Sequence, residues 1–125
     1  MVKDDLKYTD THEWIKISGK EATIGITDYA QKELGDIVYV ELPEIGAELA
    51  AKEILTTVEA VKAVEEIYIP ISGRVIDVNS KLADTPDLLN SSPYDEGWIA
   101  KVEIMDEDEI ENLLSAEDYK KLIGE

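Results

Sequence analysis

The fold is decided by the stretch Thr57-Val58-Glu59-Ala60-Val61-Lys62-Ala63-Val64-Glu65-Glu66. Apolar, β-prone runs flank its centre, with Glu53–Val58 on one side and Ile67–Ile71 on the other. Two such runs joined by a short connection predict a β-hairpin, and Lys62 falls where the tip of that hairpin should be. A lysine at a hairpin tip holds its amine in water on a short, stiff support. Such an amine suits a modifying enzyme, and it suits a group that has to reach several partners.

The rest of the chain is rich in short predicted strands. Alternating apolar and polar residues, bounded by turn residues, mark each of them. The predicted strands are Glu13–Ser18, Ala22–Ile26, Ile37–Leu42, Lys52–Glu59, Val64–Ile71, Arg74–Val78 and Trp98–Ile104. Many short strands with helices at the edges favour a flattened barrel or sandwich of two antiparallel sheets over a parallel sheet. No linker or low-complexity segment divides the chain, so we expect one domain over residues 1–125.

Short helices are predicted at the edges of this β-structure. Thr27–Gly35 is one, with Asp28 as its cap and Gly35 at its end. Asp84–Leu89 begins like another, because a capping residue is followed by a proline. The tail is predicted as a helical segment over Asp106–Leu114 and a second short helix that Ser115 caps.

Composition excludes several classes of function. The formal net charge of −17 and the isoelectric point near 4.2 argue against nucleic acid and anionic membrane as partners. The absence of cysteine excludes disulfides, zinc thiolate sites and cysteine nucleophiles. No signal peptide and no apolar stretch of membrane-spanning length are recognised. We therefore expect a cytoplasmic protein of bacterial type, and nothing demands more than a monomer.

Few residues outside the hairpin have the pattern of a chemical site. The numerous carboxylates, including Asp106-Glu107-Asp108-Glu109, are predicted to be solvated faces, and no calcium loop is present. His12 is the single histidine, so it forms neither a zinc site nor a catalytic triad, and a structural role is expected. Trp14 and Trp98 are expected to serve in packing.

Lys62 remains as the candidate for covalent chemistry. An exposed lysine at a turn lacks the apolar pocket that activates a Schiff-base lysine, so that role is not favoured. Covalent attachment of a cofactor fits better, because the carrier then supplies the tether while the cofactor supplies the reactivity.

Several sequence blocks in one order resemble the H protein of the glycine cleavage system. The blocks are Tyr8–Trp14, Gly25–Gln31, Leu34–Pro43, Val58–Ala63 and Pro70–Gly73, followed by Asn79, Leu82, Pro86, Asn90, Pro93-Tyr94 and Gly97-Trp98. The resemblance runs from about Lys7 to Leu122 and is far more specific than any single motif. It implies the hybrid-motif fold of biotinyl- and lipoyl-attachment domains.

The resemblance implies that lipoic acid is attached to Lys62. It also implies that Gly46, Glu59, Glu66 and Gly73 have the spacing that lipoylating enzymes favour. The glycines are expected to allow tight turns that hold the hairpin, and the acids to mark the site for a basic ligase surface. The attaching enzyme would be a lipoate ligase or a lipoyl or octanoyl transferase.

The resemblance also implies a shuttle and not an enzyme. The lipoyl group would accept an aminomethyl group from a pyridoxal-phosphate-dependent glycine decarboxylase. It would present this group to a tetrahydrofolate-dependent aminomethyltransferase, and dihydrolipoamide dehydrogenase would reoxidise the dithiol. Because the loaded arm is fragile in water, the family folds it into a cleft. Thr11 and Glu13 are expected to line that cleft, with Ile26 as its apolar wall.

Three alternatives stay open at this point. A biotin carrier domain shares a lysine hairpin, but biotin carriers usually have methionine on both sides of the lysine, where this chain has Val61 and Ala63. A lipoyl or octanoyl relay protein would resemble an H protein while passing its group to other carriers. An unmodified acidic adaptor would reuse the fold, and its function would survive the substitution Lys62→Ala.

Overall fold

The computed structural model describes residues 2–125. Within that range the chain forms nine strands and four α-helices, with one 3-10 helix before the last of them. In chain order these elements are β1 Lys7–Tyr8, β2 Glu13–Ser18, β3 Glu21–Ile26, α1 Asp28–Leu34, β4 Ile37–Glu41, β5 Glu48–Leu49, β6 Ile54–Ala60, β7 Val64–Tyr68, β8 Gly73–Val78, α2 Lys81–Asp84, α3 Leu88–Ser91, β9 Ala100–Ile104, the 3-10 helix Glu107–Asn112 and α4 Ala116–Ile123.

The strands form two antiparallel sheets. One has six strands in the order β1-β2-β3-β9-β8-β5, and the other has three in the order β4-β6-β7. Among the described residues no strand pair joins the two sheets, so the structure is a sandwich and not a closed barrel. The predicted class, mainly β with two antiparallel sheets and peripheral helices, is confirmed.

The main core lies between the two sheets. Apolar side chains from the inner faces of both sheets fill it, including Ile24, Val58, Ile69, Val75 and Val102, all fully buried. Over the second half of β6 the residues alternate between this core and solvent, as Val58 and Glu59 illustrate. This period of two is what the sequence pattern indicated, and it fixes which residues of the hairpin face outward.

A smaller core attaches helix α4 to strands β1 and β2. It contains Leu6, Tyr8, Trp14, Ala116 and Tyr119. The rings of Tyr8 and Tyr119 stack with their centroids 4.6 Å apart. Tyr119 Oη lies 2.7 Å from Thr27 Oγ1 and 2.8 Å from His12 Nδ1. The C-terminal helix thereby fixes the segment that leads into β2, in which Thr11 comes shortly before Glu13, the first residue of the strand.

Two local predictions about helices are wrong. Helix α1 is capped by Thr27, whose Oγ1 accepts a hydrogen bond from the Ala30 N–H, and not by Asp28, which is the first helical residue. No helix begins at Asp84. Instead α2 ends there and α3 begins at Leu88, because a residue that precedes proline is driven out of the helical region and Thr85, before Pro86, has a φ of −132°.

Gly97 allows the loop before β9 to pass against helix α3. A Cβ atom at this position would lie 2.7 Å from the carbonyl oxygens of both Leu88 and Ser92. We expect Gly97→Ala to lower the free energy of unfolding by about 2–3 kcal/mol, since backbone atoms have to move to relieve the overlap. Denaturant unfolding followed by circular dichroism measures it.

The matched control for this prediction is Gly19→Ala. Gly19 has a φ of +63° but open space around its Cβ position, so only the left-handed backbone is penalised, by about 1 kcal/mol. Equal losses in the two variants would contradict the steric explanation for Gly97.

Candidate functional site

Lys62 lies at the tip of the β6–β7 hairpin, as predicted. Its side chain is exposed. The tip is held on both sides, because the Ala60 N–H donates to the Ala63 carbonyl at 2.7 Å and the Val61 N–H donates to the Asp36 carbonyl at 3.0 Å. The second bond ties the tip to the segment before β4. The amine of Lys62 therefore extends into solvent from a backbone that is fixed at several points.

The outer face of the three-stranded sheet surrounds this lysine with acids and apolar side chains. Tyr39, Glu59 and Val64 lie side by side in one row across the sheet, since Tyr39 pairs with Glu59 and Glu59 with Val64. All three are exposed, with Val64 at 63% of its surface. Glu66 is exposed two positions further along β7. Both predicted recognition acids, Glu59 and Glu66, thus lie on the solvent face of the hairpin that carries Lys62.

The two predicted recognition glycines, Gly46 and Gly73, are required by the fold for different reasons. Gly46 has a φ of +96°, which favours glycine, and its N–H donates to the Val75 carbonyl at 2.7 Å. The tight-turn explanation therefore holds for Gly46 and is wrong for Gly73. Gly73 is the first residue of strand β8. A Cβ atom at this position would be 2.9 Å from Val102 Cγ2 and 3.0 Å from the Glu103 carbonyl oxygen. Its small size permits the close pairing of β8 with β9.

A cleft of about 540 Å³ opens at the base of the hairpin, on the side away from Lys62. Four chain segments contribute its lining. The lining residues are Thr9, Asp10, Thr11, Glu13, Ala51, Lys52, Tyr68, Ile69, Pro70, Glu109, Asn112, Leu113 and Leu114. Thr11 and Glu13, two of the three residues expected to line a cleft, are thereby brought together.

Ile26 does not line this cleft. It pairs with Glu13 across β2 and β3, but its side chain is fully buried in the main core. The expectation that Ile26 forms an apolar wall is wrong for this cleft. Ile69, Pro70, Leu113 and Leu114 supply apolar lining instead.

Among residues 2–125 Glu13 is the one buried carboxylate, with 1% of its surface exposed. The hydroxyls of Thr9 and Thr11 both donate to its Oε1, each at 2.5 Å. Within the described residues its Oε2 has no hydrogen-bond partner. Burial raises the pKa of Glu13 to about 7, against the opposing effects of the Thr11 and Thr9 hydroxyls and the Tyr68 backbone. Such a group can receive a cation through Oε2.

His12 has the structural role that was expected of it. Its backbone is left-handed, with a φ of +71°, and its ring packs 4.6 Å from that of Tyr29. Its Nδ1 bonds Tyr119 Oη, and burial lowers the pKa of the imidazole. Trp14 is also structural, because its Nε1–H donates to the Pro93 carbonyl at 2.9 Å from within the smaller core.

Sequence reasoning missed several residues of the cleft. Thr9, Lys52, Tyr68 and Glu109 reach it from separate segments, and no local pattern joins those segments. One signal was available: Thr9 and Thr11 alternate before Glu13, so two hydroxyls precede one acid. Among residues 2–125 no cluster of acids and histidine is arranged to bind a metal ion. None of the described helices is long and apolar enough to cross a membrane.

Comparisons with known proteins show which family and which fold this chain is similar to. The family model described as "Glycine cleavage H-protein" matches residues 6–125. Glycine cleavage system H proteins from Staphylococcus haemolyticus and Staphylococcus saprophyticus are each 51% identical to this chain over 124 residues, which is 99% of this chain and 98% of theirs. The crystal structure of a glycine cleavage system H protein from Mycobacterium marinum matches with a TM-score of 0.90 at 34% identity, covering 99% of this chain and all of that one.

Proposed function

The chain belongs to the glycine cleavage H-protein family and is therefore a carrier and not an enzyme, and we propose that Lys62 is the residue through which it carries a lipoyl group. The observation that supports this most directly is the position of Lys62, exposed at a hairpin tip whose backbone is fixed by bonds from Ala60 and Val61. An acylating enzyme can reach such an amine without unfolding any part of the sheet.

The residues around Lys62 fit a lipoyl-attaching enzyme. Glu59 and Glu66 present negative charge on the same outer face, and exposed Tyr39 and Val64 add apolar surface on either side of Glu59. A ligase or transferase with a basic surface would be attracted to the acids and oriented by them. We propose that these acids set the recognition of Lys62, while Gly46 and Gly73 preserve the backbone that presents it.

The cleft fits the amine of an aminomethyl cargo. Tyr68 stands six residues after Lys62, which is about 20 Å along a strand, so the arm has to lie back along the hairpin to reach the opening. Glu13 Oε2 is the free buried acceptor there. A bound ammonium group would replace the missing partner and favour the charged carboxylate. Thr11 and Thr9 hold the other oxygen and so fix the direction of Oε2.

The chain's own part in the reaction is to bind, orient and exclude water. The lipoyl group, when attached, supplies a pair of sulfur atoms that takes up the cargo and is returned to its disulfide afterwards. Lys62 provides the tether, Glu13 the counter-charge, and the apolar residues Pro70, Leu113 and Leu114 a lining that excludes water from the cargo. The partners in this proposal are glycine decarboxylase, aminomethyltransferase and dihydrolipoamide dehydrogenase, met by a monomer in the cytoplasm.

Reconstitution with glycine decarboxylase tests the proposal. The protein, lipoylated in vitro, is mixed with the decarboxylase and carboxyl-labelled glycine, and release of labelled CO2 is followed. We expect release to depend on the lipoylated protein and to be absent with the unmodified protein. If the lipoylated protein fails to support release but donates its lipoyl group to a second carrier, the relay role replaces the shuttle role.

A further inference from the structure

The cleft depends on one wall that has few backbone bonds to the rest of the molecule. This wall is the segment Glu109–Leu114, formed by most of the 3-10 helix and the two residues after it. At its C-terminal end, Leu114 pairs with Tyr8 through two backbone hydrogen bonds of 2.9 and 2.8 Å. These bonds fix the Leu114 end, whereas the Glu109 end has one nearby backbone bond, from the Met105 N–H to the Ser72 carbonyl at 3.0 Å, and is otherwise held by side chains.

Glu109 attaches that other end to Ser72. The backbone N–H of Ser72 donates to Glu109 Oε1 at 2.7 Å, and the hydroxyl of Ser72 donates to Glu109 Oε2 at 3.0 Å. Both carboxylate oxygens therefore accept from one residue. Paired hydrogen bonds to a charged acceptor are stronger and more directional than neutral ones.

Ser72 in turn connects further parts of the cleft. Its Oγ accepts a hydrogen bond from the Ala51 N–H at 3.0 Å, and Ala51 lines the cleft. Its carbonyl accepts from the Met105 N–H at 3.0 Å, just before the 3-10 helix. Ser72 also follows Pro70 by two residues, and Pro70 belongs to a third wall. Three of the four walls thus meet at the Glu109–Ser72 contact.

Glu109 differs from the other acids of the same helix. Glu107, Asp108 and Glu111 are exposed, which agrees with the predicted solvated face, whereas Glu109 is half-buried. Its partners explain the difference, because both oxygens turn inward to Ser72.

We propose that Glu109 is a positioning residue that keeps the cleft closed around its cargo by holding the 3-10 helix to Ser72. The inference rests on the proposed function, since it concerns the cleft that receives the aminomethyl group. Without Glu109, the wall keeps the Leu114–Tyr8 bonds and the Met105–Ser72 backbone bond but loses the side-chain contact between them, and water gains access to the cleft there.

Amide hydrogen exchange of the unmodified protein tests the contact itself. In Glu109→Ala we expect the Ser72 amide to exchange at least about tenfold faster, because a charge-assisted hydrogen bond is lost. Glu109→Gln keeps one acceptor oxygen, so its Ser72 amide is expected to exchange at a rate between those of Glu109→Ala and wild type. Glu111→Ala, which removes an exposed acid from the same helix, is the matched control and should leave the Ser72 amide unchanged. Unchanged exchange in Glu109→Ala would overturn the inference.

Cargo retention tests the positioning role. Lipoylated wild type, Glu109→Ala and Glu111→Ala are loaded by glycine decarboxylase with glycine labelled at its methylene carbon and are then freed of the enzyme. Loss of the label as formaldehyde is then timed. We expect Glu109→Ala to lose the label several-fold faster than wild type, and Glu111→Ala to lose it at the wild-type rate. The extent of loading and the melting temperature of Glu109→Ala should be near those of Glu111→Ala. Faster amide exchange with unchanged retention would show a merely structural contact and refute the positioning role.

The two proposals fail in different ways. If wild type is lipoylated but takes up no label, the proposed function is wrong, and the positioning role falls with it. If wild type takes up label and Glu109→Ala retains it as long as wild type does, the proposed function stands and only the role of Glu109 is refuted. Should Glu109→Ala fold poorly, Ser72→Ala is the second variant: it removes the hydroxyl's bonds to Glu109 and to the Ala51 N–H, keeps the backbone bond to Glu109, and is expected to accelerate label loss in the same direction.

Discussion

Lys62→Arg is expected to abolish lipoyl attachment and all carriage of the aminomethyl group while leaving the fold intact. Arginine keeps the positive charge, but its guanidinium stays protonated and does not replace an amine as the acceptor of an acyl group. Lys62 is exposed at the hairpin tip, so the free energy of unfolding should change by no more than about 0.5 kcal/mol. Mass measurement after incubation with a lipoylating enzyme, followed by the CO2-release assay, detects the loss.

Lys20→Arg is the control for this prediction. Lys20 is also exposed and also lies in the turn of a hairpin, between β2 and β3. It lacks the row of Glu59 and Val64 that flanks the tip at Lys62. Lys20→Arg should be modified as fully as wild type. Modification of Lys62→Arg to the same extent would mean that another lysine carries the group, and it would contradict the assignment.

Glu13→Gln is expected to stabilise the protein at neutral pH and to impair cargo retention. The pKa of Glu13 is raised from 4.5 to about 7 in the folded protein, chiefly by burial. Between pH 4.5 and 7 the folded chain therefore keeps a proton that the unfolded chain has lost. The free energy of unfolding falls as pH rises through this window, by about 3 kcal/mol in all, and the loss is complete above pH 7. Glutamine cannot ionise, so this loss disappears.

The measurement is the difference in unfolding free energy between Glu13→Gln and wild type, followed from pH 4 to pH 8. The difference should grow in favour of the variant between pH 4.5 and 7 and then level off. Taking the difference cancels the pH dependence that comes from the carboxylates common to both proteins. Glu21→Gln, an exposed acid on the neighbouring strand β3, is the control and should give a difference near zero. A flat difference for Glu13→Gln would contradict the burial of an unsatisfied carboxyl group.

The same substitution should weaken the hold on the cargo. Glu13 Oε2 has no partner within residues 2–125, and a neutral amide in its place offers no counter-charge to an ammonium group. Label loss from the loaded variant should be about tenfold faster, the equivalent of about 1.4 kcal/mol of lost interaction. A gain in stability together with a loss of retention is the pattern expected of a functional residue that the fold tolerates at a cost.

The sequence predicted the parts of this molecule that depend on local pattern. The hairpin at Lys62 followed from two apolar runs and a short connection, and β2 and β3 followed from alternation around Ser18–Glu21. Helix α4 followed from Ser115, whose Oγ does accept from the Asp118 N–H. In each case neighbouring residues contain the physical cause. The family resemblance is confirmed by the family model, which matches residues 6–125.

The cleft could not be predicted in the same way, because distant segments create it. The environment of Glu13 depends on Tyr68, fifty-five positions away, and on the wall that Glu109 fixes. Glu109 itself stands in an acidic run that predicts a solvated face, and only its contact with Ser72 distinguishes it. Ile26 was misplaced because strand pairing sets it beside Glu13 while its side chain faces the core.

The central claim, that Lys62 carries a lipoyl group, is tested most directly by intact mass and peptide mapping of the protein from its native host. We predict a single lipoyl group, located on the peptide that contains Lys62 and absent from every other lysine peptide. A biotinyl group at Lys62 would contradict the claim in favour of a biotin carrier. An unmodified Lys62, even after incubation with lipoate and a lipoyl ligase, would contradict the carrier role altogether.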